Sequence, residues 1–260
     1  MLGQQKKANF TNKFNFINKN RYDIITSGDS NNLYSNLFDL WKITNEHNRP
    51  TVLGGDHSLA ISTLSSSIFK YGTDIKILWI DAHADINTYT SSHTKNVHGM
   101  VLNYICDVNM SGIFESICDS YQKLPFLPHI KVDPTNIMYI GIRDLDDYEK
   151  DVLKYYNISQ INCNNVNNNP DKCIEQINTF VGNDKFHLSI DIDALDPYYV
   201  PCTGTPVEHG IELHKLLYIL KNMNMKNKIH TDIVEYNPSL GNIQQQHRTQ
   251  ETINALLNAT

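Results

Sequence analysis

Lys76-Ile-Leu-Trp-Ile-Asp-Ala-His-Ala-Asp-Ile-Asn87 is the stretch on which the reading of this chain turns. Its first half, through Ile80, is a short apolar run preceded by polar residues, the pattern of a strand buried on both faces of a parallel sheet. Asp81, His83 and Asp85 follow at alternate positions. On an extended chain that spacing points all three side chains to one side, at the carboxyl end of the strand, where open α/β sheets place their ligand sites. Two carboxylates and an imidazole so close together need a cation, a proton or water between them. A divalent metal is the simplest compensation, and a solvated strand-to-helix loop is the bland alternative.

Outward from this stretch, strands and helices alternate. Upstream, a modest strand at Tyr22–Gly28 is followed by helical spacing over Leu33–Thr44, a strand at Thr51–Leu53, a Gly54-Gly55-Asp56-His57-Ser58 turn and a helix through Phe69. Downstream, the pattern gives a helix over Met100–Asp107, a loop over Leu124–Pro134 and a strand at Ile137–Ile140 that leads into Gly141-Ile-Arg143-Asp144. Next come a helix over Tyr148–Tyr156 and a short strand at Ser159–Ile161. The Asn-rich run Asn162–Asn169 reads as a surface loop, and a helix over Asp171–Phe180 follows. A buried strand at Lys185–Ile190, a helix over Ile211–Met223, a strand at Lys228–Val234 and a closing helix over Arg248–Leu257 complete the order. This alternation predicts one three-layer αβα sandwich over residues 1–260 with a mainly parallel sheet.

Three strand ends carry the same chemistry. His57 follows the first, Asp81, His83 and Asp85 the second, and Asp191 and Asp193 a third in Ser189-Ile-Asp-Ile-Asp-Ala-Leu-Asp-Pro197. In a parallel sheet these ends share one edge. Singly, each has an ordinary explanation: His57 as a helix-entry hydrogen bonder, Asp191 and Asp193 as caps. Together, four carboxylates and two imidazoles balance two divalent cations, and the absence of thiolate favours a hard or borderline metal such as manganese over structural zinc. A shared carboxylate bridges two ions about 3.5 to 4 Å apart in two-metal hydrolytic sites.

Composition narrows the alternatives. A formal charge of −6 over 260 residues leaves no basic excess for a nucleic-acid backbone. No apolar run approaches the length of a membrane span. The five cysteines form no Cys-x-x-Cys and read as free thiols in a reducing compartment, so a cytoplasmic location is the expectation.

Gly54-Gly-Asp-His-Ser58, Asp81-Ala-His-Ala-Asp-Ile-Asn87, Asn96-Val-His-Gly99, Ser189–Pro197, Thr203-Gly-Thr-Pro206 and Glu235-Tyr-Asn-Pro238 together resemble, in order, the signature of the ureohydrolase family of arginases, agmatinases and formimidoylglutamases. The resemblance runs from Thr51 to the C-terminus. It implies a binuclear manganese site, with His57, Asp81, Asp85 and Asp191 on one ion and His83, Asp81, Asp191 and Asp193 on the other. A metal-bridging hydroxide oriented by Asp85 would attack a guanidinium carbon, Glu235 would pair with the guanidinium, and His98 would shuttle a proton to the leaving amine. Asn87, Ser92, Thr94 and Asn96 fall where arginases bind the substrate's α-carboxylate. Asp146, with Glu149 second, falls at the α-amino position, and Thr205 lies near the metal-site wall. The resemblance therefore favours L-arginine, cleaved to L-ornithine and urea, over agmatine, and implies a homo-oligomer, trimer or hexamer. The competing readings are another guanidino or amidino hydrolase, and a metal-binding relative with little turnover.

The sequence departs from the family pattern in places. The first strand of the family has no counterpart ahead of Tyr22, Ala84 stands where Thr is common, and Lys95 where Gly is common. His93 adds an imidazole near the mouth of the site.

Overall fold

A computed structural model describes residues 32–108 and 124–260. Among these residues six strands form one sheet, β1 (Thr51–Leu53), β2 (Lys76–Ile80), β3 (Ile137–Ile140), β4 (Ser159–Ile161), β5 (Phe186–Asp191) and β6 (Lys228–Val234), in the order β1-β6-β5-β2-β3-β4. Every pairing is parallel. The helices are α1 (Leu33–Glu46), α2 (Ala60–Tyr71), α3 (Val101–Ile105), α4 (Asp147–Tyr155), α5 (Cys163–Asn168), α6 (Pro170–Val181), α7 (Leu213–Asn222) and α8 (Ile243–Ala259).

Alternation along the central strands splits the core in two. Ile77 and Trp79 of β2, with Ile137 and Tyr139 of β3, pack on one face against Leu37 of α1, Ile61 and Leu64 of α2 and Val152 of α4. Leu78 and Ile80, with Met138 and Ile140, pack on the other against Ile177 of α6, Leu216 and Leu220 of α7 and Ile253 of α8. Two covered faces explain why β2 and β3 read as near-continuous apolar runs. The three-layer α/β expectation is met. The strand expected at Tyr22–Gly28 lies outside the described residues. Among those residues no helix is long and apolar enough to cross a membrane.

Several boundaries differ from the sequence reading, each for a local reason. Asn162–Asn169 is not a loop. It forms α5, because Asn162 Oδ1 accepts the Asn165 N–H at 2.8 Å and Cys163 and Val166, three apart, share a buried face. The helix expected from Met100 stops at Ile105, since Cys106 pairs with Val132 instead, which also gives the expected loop at Leu124–Pro134 a strand-like contact. Ile211 pairs with Leu195, so α7 starts two residues later than expected. The closing helix begins at Ile243 rather than Arg248. Asn242 and Gln245 cap each other's backbone N–H groups there, the capping box that the sequence reading passed over.

Register brings the strand ends together. Ile80 of β2 lies beside Ile190 of β5, and Asp191 beside Val234 of β6. Asp81 and Asp191 are thus neighbours, with Glu235 one residue past the adjoining strand. On the far side of β6, Gly54 donates to Ile233 O at 2.9 Å. The chain turns there so tightly that a Cβ on Gly54 would sit 2.0 Å from Leu59 Cδ2.

Candidate metal centre

His57 enters the centre on a 3-10 turn whose preceding Asp56 caps Ser58 N–H at 3.0 Å. The imidazole stacks on Trp79, centroids 4.2 Å apart and planes within 7°. Its Nε2 lies 2.9 Å from Ser189 Oγ. Nδ1 is thereby aimed at three carboxylates, 3.2 Å from Asp81, 3.1 Å from Asp85 and 3.3 Å from Asp191. The second imidazole repeats the pattern: His83 Nδ1 is 3.1 Å from Asp193 Oδ2 and 3.5 Å from Asp81 Oδ1. Asp81 therefore offers one oxygen to each histidine, and two three-residue clusters, His57–Asp81–Asp191 and Asp81–His83–Asp193, share it.

The three side chains of the Asp81–Asp85 stretch do not converge by strand alternation, as the spacing suggests. β2 ends at Ile80, and Asp85 reaches the site because its backbone is left-handed, φ 51°. Leu102 N–H on Asp85 O at 2.9 Å and Tyr139 OH on Ala84 O at 2.8 Å hold that turn. A non-glycine residue in this region costs of order 1–3 kcal/mol and persists where its surroundings over-determine it.

The electrostatics of the cluster favour added positive charge. Burial with the crowding of Asp193 and Asp81 raises the Asp191 carboxyl well above its ordinary range. Burial and Asp81 also push Asp193 up, and Asp85 up to about 6. Asp81 goes the other way: burial opposes its ionisation, but His57 and His83 outweigh that and hold it low. Burial would depress the imidazoles, yet their carboxylate partners raise His57 well above normal and His83 to about 12. His57 Nδ1 and Asp81 Oδ2, both fully buried, have no hydrogen-bond partner among the described residues. Facing polar atoms left unpaired in the interior are costly unless a cation lies between them. The donor set therefore fits divalent metal.

Further groups steady these ligands, and of them only Thr205 is named as a site residue by the sequence. Asp193 Oδ1 accepts Ala82 N–H at 3.1 Å, and Thr205 Oγ1 donates to its Oδ2 at 3.1 Å. Asp144 Oδ2 is 3.8 Å from His83 Nε2. Arg143 donates to Asp193 O at 2.8 Å and Val207 O at 2.7 Å, tying the end of β5 to the Thr203–Pro206 loop. Short polar residues such as Ser189 carry no sequence signal of such roles.

Beyond the cluster opens a cavity of about 230 Å³ lined by His57, His83, Asp85, Asn87, Ser92, His93, Thr94, His98, Asp146, Glu149, Asp191, Thr205 and Glu235, among others. Glu235 has a left-handed backbone, φ 65°, and its Oε1 accepts His57 N–H at 2.7 Å. Burial and nearby Asp56 push its carboxyl up to about 7. His98 Nδ1 lies 3.5 Å from Asp56 and 3.8 Å from Glu235, and chiefly the Asp56 partner raises it to about 9. At the far end, Asn87 Nδ2 donates to Asp146 Oδ2 at 2.9 Å. Glu149 accepts Ile86 N–H and Asp146 N–H, so both its oxygens serve the backbone. Asn96 is exposed and stands apart from the lining.

The Arginase family model matches residues 11–259. Arginase from Saccharomyces cerevisiae is 35% identical over 208 residues, 76% of this chain and 60% of that protein. Arginase from Plasmodium falciparum is 32% identical over 275 residues, 94% of this chain and 64% of that protein. Thus the chain spans about three fifths of the length of these relatives. The crystal structure of Entamoeba histolytica arginase in complex with L-ornithine superposes with a TM-score of 0.74 at 29% identity, covering 90% of this chain and 80% of that one.

Proposed function

The chain belongs to the arginase family, and on that premise we propose that it hydrolyses the guanidinium group of L-arginine to L-ornithine and urea with two manganese ions. The observation that carries this reading is Asp81, one buried carboxylate shared by two separate histidine–carboxylate clusters at the floor of a polar cavity. His57, Asp81, Asp85 and Asp191 would hold one ion, and His83, Asp81, Asp191 and Asp193 the other. Such a pair of cations supplies positive charge that lowers the proton affinity of water and offsets the negative charge of an addition step.

The remaining steps fall to side chains. Asp85, 3.1 Å from His57 Nδ1 and lining the cavity, is placed to orient the attacking water and take its proton. Glu235, fixed by the His57 N–H, presents a carboxylate to the forked donors of the guanidinium. His98, held between Asp56 and Glu235, passes a proton to the departing amine. Asp146, steadied by Asn87, takes the α-amino group, while Ser92 and Thr94, which line the cavity, offer hydroxyl donors to the α-carboxylate, and Asn96, outside the lining, is left without that role. Thr205 steadies Asp193, and Glu149 acts through the backbone of Asp146 and Ile86. Family membership supports a homo-oligomer, trimer or hexamer, and the free buried thiols of Cys106, Cys163, Cys173 and Cys202 support a cytoplasmic location.

Urea release from L-arginine and from agmatine by the manganese-loaded protein tests the reading. L-arginine is expected to be the better substrate; equal or greater release from agmatine would overturn that choice. Glu235→Gln keeps the shape and removes the charge. It is expected to lower kcat/KM at least about 30-fold, the lower end of what losing one partner of a buried charge pair costs, with metal content unchanged.

A further inference from the structure

One imidazole at the mouth of the cavity serves neither the metal cluster nor the guanidinium end. His93 lines the cavity beside Ser92, Thr94 and Asp146, and its side chain is 86% exposed. Its Nε2 lies 3.9 Å from Asp146 Oδ1, too far for a direct hydrogen bond. The other oxygen of Asp146 is already taken by Asn87 Nδ2, and Asn87 Oδ1 in turn accepts from Ser91 Oγ at 2.8 Å. Asp146, whose side chain also accepts the Glu149 N–H in the capping box at the start of α4, is thus fixed with Oδ1 3.9 Å from His93 Nε2.

The loop that presents His93 is built to hold still. Ser91 Oγ accepts Thr88 N–H at 2.9 Å, Ser91 N–H donates to Thr88 Oγ1 at 3.0 Å, and Lys95 N–H donates to Ser92 Oγ at 3.0 Å. Lys95 is left-handed, φ 60°, and its ammonium lies over the Tyr89 ring and donates to Tyr89 O and Thr90 O at 2.5 and 3.2 Å. The lysine that stands where glycine is common therefore straps the loop to itself and leaves the mouth clear. Pre-organised loops lose less entropy when a ligand is gripped.

We propose that His93 is a specificity residue for the amino-acid head of the substrate: its ring N–H serves the α-carboxylate while Asp146 Oδ1 takes the α-amino group. The proposal rests on the L-arginine reading above. An α-amino acid carries opposite charges on one carbon, and an acceptor and a donor facing each other across a short gap complement that pair. A decarboxylated guanidine or amine offers His93 nothing to bind. Discrimination then comes from a donor left without its acceptor, in addition to attraction for the right head group.

The test titrates L-ornithine and putrescine, which is ornithine without its carboxylate, into the manganese-loaded wild type, His93→Ala and His93→Gln by calorimetry, alongside kinetics with L-arginine. His93→Ala is expected to weaken L-ornithine binding and raise the KM for L-arginine about fivefold, the scale of an exposed polar pair, with kcat and putrescine binding held within twofold. His93→Gln, which keeps a donor, is expected to recover most of the loss. Unchanged L-ornithine affinity in His93→Ala, or an equal loss for both ligands, overturns the proposal. Urea release that stays intact in that case leaves the hydrolase reading standing. Conversely, L-ornithine binding that depends on His93 in a protein releasing no urea supports the head-group site and sinks the hydrolase reading.

Discussion

Asp81→Asn will cost the protein its metal and its turnover while leaving it folded. The carboxylate has 0% exposure, faces His57 with one oxygen and His83 with the other, and accepts His83 N–H at 2.8 Å. Asparagine can still accept that N–H, so the local turn survives. It cannot offer an anionic oxygen to both sides. Loss of an outer partner that merely steadies a ligand already costs about 10- to 100-fold in metal affinity, and loss of a ligand shared by two ions is expected to exceed about 100-fold. Urea release should fall to background. Metal analysis after dialysis and melting curves with and without manganese check the claim. Wild type should melt higher when the ion is added, since binding to the native state alone stabilises it, and the variant should not. A variant that keeps its metal and half its activity would remove Asp81 from the centre of the account.

The second large effect lies in the core behind the site. Asp232 of β6 is 0% exposed; its Oδ2 lies 2.8 Å from His187 Nε2 and accepts Thr63 Oγ1–H at 2.6 Å, and its Oδ1 is 3.4 Å from His230 Nε2. Ser67 Oγ sits 2.9 Å from His187 Nδ1, and the two imidazoles stack 4.7 Å apart. Burial alone would raise this carboxyl, but His187 and His230 hold it far below its ordinary range. Breaking a buried pair from one side costs about 3–5 kcal/mol, because the remaining groups stay buried without their partner. Asp232→Asn is expected to lose that much in denaturant unfolding at pH 7.

The pH dependence has a definite sign. A carboxyl with a depressed native pKa contributes stability that is full above its unfolded value, about 3.9, and fades as pH falls through the native one. The gap between wild type and Asp232→Asn should therefore stay level from neutral pH to about 5 and shrink below about 4. A gap under about 1 kcal/mol, typical of an exposed pair, would show the network to be ornamental.

Much of this architecture was legible in the sequence because the signals were periodic. Lys76–Ile80 is the apolar run that a buried parallel strand requires, and both it and the strand read at Lys228–Val234 match the observed strand ends. The three acid-and-histidine strand ends were likewise readable, since a parallel sheet places such ends on one edge whatever the crossovers. What remained hidden depends on three-dimensional contact. Asp85 reaches the cluster through a left-handed turn that a spacing rule for extended chain does not describe. Ser189 and Trp79, which fix the His57 ring, are a polar and an apolar residue in otherwise ordinary strands. The Asn-rich α5 looked like a loop because asparagine is a poor helix former, yet two buried side chains and a cap outweigh that propensity over six residues.

The account stands on one carboxylate joining two metal positions, and electron paramagnetic resonance of the manganese-loaded wild type, with the metal counted per chain, tests it most directly. The prediction is two manganese ions per chain with an exchange-coupled signal, which requires shared ligands. A single ion per chain, or two ions with independent signals, would contradict it.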